Sequence, residues 1–210
     1  DSDPDPGLLP AVPGLALPDE SLLGVFVSHA HRDHYGLLPY ADARPRVFMG
    51  RDAARMLEAA SLFWPDARGL GETEPLEHRI PINLGPFRVT PYLVDHSAYD
   101  AYALLVEADG KRLFYSGDLR AHGRKGKLFE QLLREGIDDL DVLLLEGTTL
   151  GRPGDETYPT ETDVEMQMGA ICKETPGLVL VWVSAMNIDR LVTIFRAARR
   201  FGRTLILDMY

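Results

Sequence analysis

Residues 25 to 40 read "VFVSHAHRDHYGLLPY", and three of the chain's six histidines fall in this one stretch, with an aspartate between the last two. The apolar run before them, "GVFVS" (24 to 28), reads as a buried strand. On an extended strand end, positions 29, 31 and 33 point one way, and a turn after residue 31 brings His34 round beside them. His29, His31, Asp33 and His34 thus offer one cavity two kinds of ligand. Neutral imidazole suits zinc and similar metals, and carboxylate oxygen suits zinc, iron or manganese. The competing reading is a solvated polar turn. His-x-His-x-Asp-His arises by chance in roughly 4 of 10,000 chains of this composition, which favours the metal.

A metal pair needs more ligands, and they occur where later apolar runs end. "YLVDHSAYDAY" places Asp95 and His96 at the end of one run, and "LFYSGDLRAHG" places Asp118 at the end of another. A lone "DH" or "GD" is ordinary turn chemistry. Three strand ends that each deliver metal-compatible side chains to one sheet edge are the pattern of a site grafted on loops.

Hydrophobic periodicity extends the reading in both directions. "RDAARMLEAASLFW" (51 to 64) sets Ala54, Leu57, Ala60 and Leu62 on one helical face. "FRVTPYLVD" (87 to 95) and "AYALLVEADGKRLFYSGD" (101 to 118) read as antiparallel strands, with Asp109-Gly110 as a hairpin turn. "KLFEQLLREG" (127 to 136) is an amphipathic helix closed by Gly136, and "DVLLLEG" (141 to 147) a buried strand. Thr160 with Asp163 caps a helix to about Glu174. The strand "LVLVWVS", the helix "NIDRLVTIFRAARRFG" and the strand "TLILD" follow. That αβαβ rhythm is the pattern of parallel strands with helical crossovers and marks a change of architecture near residues 147 to 160. Trp64, Trp182 and Phe195 fall inside apolar runs and are expected in the core, whereas His78, in "PLEHRIP", is expected at the surface. The Pro- and Asp-rich opening, "DSDPDPGLLPAVPGLALPDE", reads as an irregular arm.

Composition narrows the partners. The 210 residues are 45% apolar and 26% charged, an ordinary globular balance. A net charge of −10 argues against wholesale coating of nucleic acid, while leaving room for a local basic groove. The single cysteine, Cys172, cannot form an internal disulfide, and the run Leu178 to Val183 is too short to span a bilayer. With no signal peptide visible, a cytoplasmic protein without membrane contact is expected; a homo-oligomer is left open. "LRAHGRKGK" (119 to 127) gathers Arg120, Arg124, Lys125 and Lys127 directly after Asp118, with glycines that let backbone amides approach an anion. It reads either as a phosphodiester cradle or as a solvated basic loop. Ser97 and Asp100 are expected to fix the loop that carries His96. "SAMNIDR" (184 to 190) opens a helix whose amides can bind an anion, with Asn187 as a simple N-cap the blander reading.

"SHAHRDH", "DHSAYDA" and "YSGD" together resemble the successive signature motifs of the metallo-β-lactamase-fold hydrolases over residues 24 to about 150. The resemblance implies an αββα sandwich with two divalent metals, zinc or else manganese, at the edge where the sheets meet. His29, His31 and His96 would hold the first metal, Asp33 and His34 the second, and Asp118 both. Asp33, His34, Asp118 and Glu146 would form the catalytic set, Asp33 orienting a water. A hydroxide held between two metals roughly 3.5 to 4 Å apart would be the nucleophile. The family's final histidine has no counterpart: after His96 only His122 remains, too close to Asp118 for that motif.

"DVLLLEGTTLGR", with Glu146 in the acidic position, is similar to the junction at which the β-CASP, ribonuclease J-like branch inserts a parallel α/β domain. The resemblance therefore divides the chain into a hydrolase part, 1–150, and the beginning of a β-CASP-like domain, 151–210, with the remainder of the polypeptide expected to follow. It implies a metal-dependent phosphodiesterase or nuclease cleaving RNA or DNA; Arg120, Arg124 and Lys125 of the basic loop, with Ser97, are the residues expected at the substrate. A hydrolase of small esters, thioesters or lactones, and an inactive scaffold subunit, are the alternatives.

Overall fold

Val25–Phe26 (β1) pairs in parallel with Val47–Gly50 (β2), and β2 with Thr73–Leu76 (β3). The computed structural model describes residues 6–41, 44–63, 70–152 and 158–208 and sets a five-stranded sheet beside this first one. Its strands, in order, are Ile82–Leu84 (β4), Phe87–Leu93 (β5), Tyr102–Ala108 (β6), Lys111–Tyr115 (β7) and Val142–Leu144 (β8). Pairing is antiparallel from β4 to β7 and parallel between β7 and β8. Asp109 and Gly110 join β6 to β7 with φ of 51° and 72°, the double left-handed conformation of a type I′ turn, as the sequence predicts.

Side-chain alternation then builds the layers. Phe48 and Leu76 of the first sheet meet Leu84, Val89, Tyr102 and Leu104 of the second in one inter-sheet core. The opposite face of the first sheet, Val47 and Met49, packs on Ala53, Ala54 and Leu57 of the helix Arg51–Ser61 (α2). A single helical turn, Arg32–Tyr35 (α1), adds Tyr35 to the same layer. On the far face of the second sheet, Ala103, Leu105 and Phe114 pack on Leu132 of the helix Gly126–Glu135 (α3). The result is helix, sheet, sheet, helix: the expected αββα sandwich.

Helix ends follow local chemistry. Gly136, at φ 66°, closes α3. Thr160 and Asp163 form a reciprocal capping box at the start of Glu161–Glu174 (α4), and the Asn187 side chain accepts from the Arg190 N–H to open Ile188–Arg200 (α5). The N-terminus of α2 differs, since Gly50 has no side chain to cap it. Asp100, 48 positions beyond Asp52, supplies the carboxylate and accepts from the Asp52 N–H at 2.8 Å and the Ala53 N–H at 3.4 Å. Glycine is required at position 50, where a Cβ would lie 2.4 Å from Asp100 Oδ2.

Several expectations are corrected. The runs 178–184 and 204–208 join no strand ladder among the described residues, and Trp182, expected in the core, is fully exposed. An extended segment persists as a strand only where a neighbour takes its backbone groups, and no described strand lies beside these two. Phe195 is 49% exposed, and Trp64 lies outside the described residues. β8 is a sheet edge whose Val142, Leu143 and Leu144 are exposed rather than buried. α2 ends at Ser61, which leaves Leu62 beyond the apolar face and exposed. His78 is half-buried rather than superficial, because its Nδ1 accepts the Leu93 N–H at 2.9 Å.

Candidate metal centre

The extended chain leaving β1 continues through Val27, whose N–H bonds the Phe48 carbonyl, and delivers His29 to the rim of the inter-sheet core, 1% exposed. His31 stays extended as the N-cap of α1, and that one helical turn brings His34 back beside His29, their rings 4.0 Å apart. This is the turn after residue 31 that the spacing predicts. Ser28, which sequence reasoning left without a role, fixes the pair: its buried hydroxyl lies 3.1 Å from His29 Nδ1 and 3.3 Å from His34 Nδ1. A hydroxyl can serve either tautomer of each ring, so it orients both.

His96 follows β5, and Asp118 follows β7. Between β7 and Asp118 sits Gly117, at φ 55°, where a Cβ would lie 2.9 Å from that of Ser28 and 3.0 Å from the Tyr102 carbonyl. Only glycine permits this approach. His31 Nδ1 then stands 3.2 Å from His29 Nε2 and 3.1 Å from His96 Nε2. Asp118 Oδ2 lies 3.8 Å from His29 Nε2 and 4.0 Å from His96 Nε2, while its Oδ1 lies 3.5 Å from His34 Nε2. One carboxylate thus faces two sets of imidazoles with different oxygens. Asp33, largely exposed, stands 3.6 Å from His34 Nε2 on the second side.

The donor set fits a metal. One ligand atom from each of His29, His31, His96 and Asp118 lies within 4.8 Å of the others. Zn–N bonds of about 2.0–2.1 Å at a tetrahedral angle hold nitrogens about 3.3–3.4 Å apart, close to the imidazole spacings here. Protonation is disfavoured where ligation needs lone pairs. Burial first, then the neighbouring His34, His96 and His31, pushes His29 down to about 2. Burial and the His31 and Arg120 charges push His96 down to about 3. Burial also lowers His31, against the opposing pull of Asp33 and Asp118. Asp118 is raised, by burial first; His34 opposes this, and the Glu146 and Asp33 charges reinforce it. A cation between these groups relieves both effects, since it takes neutral imidazole and ionised carboxylate together.

The remaining candidates sit around this centre rather than in it. Glu146 accepts the Leu119 N–H at 2.6 Å, and its own N–H bonds Ser116 Oγ at 3.1 Å, so it braces the loop that carries Asp118. Asp100 ties the His96 loop to α2, and Ser97 is half-buried next to His96. Asp95, fully buried, accepts from Gly123 N–H at 2.7 Å and Arg120 Nε at 3.3 Å instead of joining the ligands. The basic loop, expected either as a phosphodiester cradle or as a solvated loop, turns inward. Arg120 pairs with Asp95 and Asp189, and Arg124 reaches Asp189, Glu165 and Thr193. Lys125 lies 3.6 Å from Asp189 and 5.2 Å above the Tyr99 ring. His122 stacks on Tyr158, away from the ligands.

A family model described as a beta-lactamase superfamily domain matches residues 3–194. Similar curated proteins include Ribonuclease J of Sinorhizobium meliloti, 27% identical over 95% of this chain and 36% of that protein. Ribonuclease J of Helicobacter pylori is 24% identical over 89% of this chain and 28% of its own length. The chain thus spans about a third of the length of the curated relatives it matches. Among solved structures, a protein of unknown function from Enterococcus faecalis superposes with a TM-score of 0.71 at 23% identity, over 94% of this chain and 52% of that one.

Proposed function

Since this chain belongs to the β-lactamase superfamily, we propose that it forms the metal-binding part of a phosphodiesterase that cleaves RNA. The observation that carries the reading is Asp118, whose two carboxylate oxygens face separate imidazole groups, Oδ2 towards His29 and His96 and Oδ1 towards His34. His29, His31 and His96 would hold one divalent metal and Asp33 and His34 a second, with Asp118 available to both; zinc suits these nitrogen and oxygen donors, with manganese the alternative. Bound there, divalent metals supply Lewis acidity towards a phosphoryl oxygen and acidify water. The chain itself keeps His29 and His96 neutral by burial, orients His29 and His34 through the Ser28 hydroxyl, and holds Asp118 at a glycine turn braced by Glu146. RNA as substrate is supported by relatives named Ribonuclease J. In this reading residues 1–150 form the hydrolase part and residues 151–210 belong to a β-CASP-like domain.

A second reading, a hydrolase of small esters, thioesters or lactones, draws on Arg120 and Arg124 being held by Asp95, Asp189 and Glu165 rather than offered to a polyanion. No helix among the described residues is long and apolar enough to cross a membrane. The test is turnover of end-labelled single-stranded RNA, bis-p-nitrophenyl phosphate and p-nitrophenyl acetate by the metal-loaded protein. RNA and phosphodiester cleavage, reduced at least about a hundredfold by Asp118→Ala, supports the nuclease. Ester turnover without phosphodiester turnover selects the second reading, and unchanged RNA cleavage in Asp118→Ala removes Asp118 from the site.

A further inference from the structure

Two loops that carry proposed metal ligands are tied to each other next to those ligands. Asp95 precedes His96, and its backbone carbonyl accepts the Arg120 N–H at 2.7 Å. Its carboxylate accepts the Gly123 N–H and Arg120 Nε, while Arg120 lies two residues after Asp118. A Cβ at Gly123 would sit 2.2 Å from Asp95 Oδ1, so the loop can close this tightly only on glycine. His96 and Asp118 are thereby set relative to one another by a buried contact that neither ligand makes itself.

The tie reaches further, into a part of the chain remote in sequence. Arg120 Nη2 donates to Asp189 Oδ2 of α5 at 2.8 Å, which leaves the guanidinium between two nearly buried carboxylates with side-chain exposures of 0% and 9%. The same Asp189 oxygen accepts the Arg124 N–H at 3.1 Å. A second strut joins the His96 loop to the entrance of α5, where the Tyr99 N–H donates to the Met186 carbonyl at 3.4 Å. A planar guanidinium holds two carboxylates in a fixed relative direction, and a buried cation that loses one of them must move or be solvated. Either response displaces a segment two residues from Asp118, and metal sites tolerate only about 0.5 Å of misplacement.

We infer that Asp189 is a positioning residue of the metal centre: through Arg120 and Asp95 it sets the separation of His96 and Asp118, so that α5 is a working part of the site. The inference rests on the metal-site reading above. Its test is zinc affinity, measured by competition with a chromophoric chelator on the intact protein. Asp189→Asn weakens zinc about ten- to hundredfold. Asp189→Glu recovers most of that loss, and Arg196→Ala, at an exposed position of the same helix, leaves affinity unchanged. Should Asp189→Asn fail to fold, Arg120→Lys tests the same link, because an ammonium lacks the planar fork that fixes two carboxylates in one relative direction, and the same loss is expected. Wild-type protein that binds no zinc, or binds it equally after His29→Ala, overturns the metal-site reading and this inference with it. Zinc binding that depends on His29 yet is unaltered in Asp189→Asn and Arg120→Lys overturns the inference alone, as does an equal loss in Arg196→Ala.

Discussion

His29 lies almost wholly buried among other imidazoles, and its protonation is opposed first by lost hydration and then by their proximity. In the metal-free fold it titrates near 2 and His96 near 3, against an ordinary value of 6.5. The unfolded chain therefore binds more protons than the folded one across that interval, so stability is full above about pH 6.5 and falls as pH drops below it. Urea midpoints of metal-free protein should decline from pH 7.5 to pH 5, and His29→Gln, which cannot titrate, should flatten the slope. A midpoint that rises on acidification would refute the account. Gly117 makes a second prediction. Alanine there faces both a left-handed φ and the Ser28 Cβ at 2.9 Å, so Gly117→Ala should lower stability by about 1–3 kcal/mol and weaken zinc binding as Asp118 shifts. Calorimetry with and without zinc reads both effects. The cluster of His29, His31, His96 and Asp118 is legible in the sequence because His-x-His-x-Asp-His is rare and because later strand ends repeat its chemistry. Ser28 and Gly117 are not, since a hydroxyl beside an imidazole and a glycine in a turn are common, and their meaning appears only when β1 and β7 lie side by side.

Elements with local stop and start signals were read well for the same kind of reason. Thr160, Asp163, Asn187 and Gly136 mark helix ends through bonds made within a few residues. Thr160→Ala removes the acceptor for the Asp163 N–H and should cost about 1 kcal/mol, visible as a lower urea midpoint with an unchanged slope. A changed slope would show instead that the compactness of one state had altered. Strands gave no such local guarantee. "LVLVWVS" and "TLILD" have the composition of buried strands, yet a strand is completed by a neighbour that composition does not name. β8 shows the intermediate case, paired with β7 on one side and, among the described residues, with no strand on the other. The inward pairing of the basic loop is illegible in sequence for a related reason: Asp95, Asp189 and Glu165 come from three distant segments, and only the tertiary structure brings them to Arg120 and Arg124.

The whole molecule combines a net charge of −10 with an open, apolar sheet edge, Val142 to Leu145, and the exposed side chains of Leu180 and Trp182. An unpaired edge invites pairing with another chain, and like-charge repulsion holds such chains apart. Screening shortens from about 30 Å at 0.01 M salt to about 3 Å at 1 M, so concentrated salt should promote self-association of this polypeptide, followed by light scattering. Leu143→Lys, which puts a charge on that edge, should suppress it; scattering that is independent of both salt and the substitution would assign association elsewhere. Asp100 carries a different lesson at this scale. Because the carboxylate that closes the first turn of α2 arrives with the loop between β5 and β6, the helix cannot finish its own beginning while the second sheet is still unformed. Closing that 48-residue loop comes at an entropic disadvantage in the search for the native state, so the start of α2 should order late, with a φ-value near zero at Asp100.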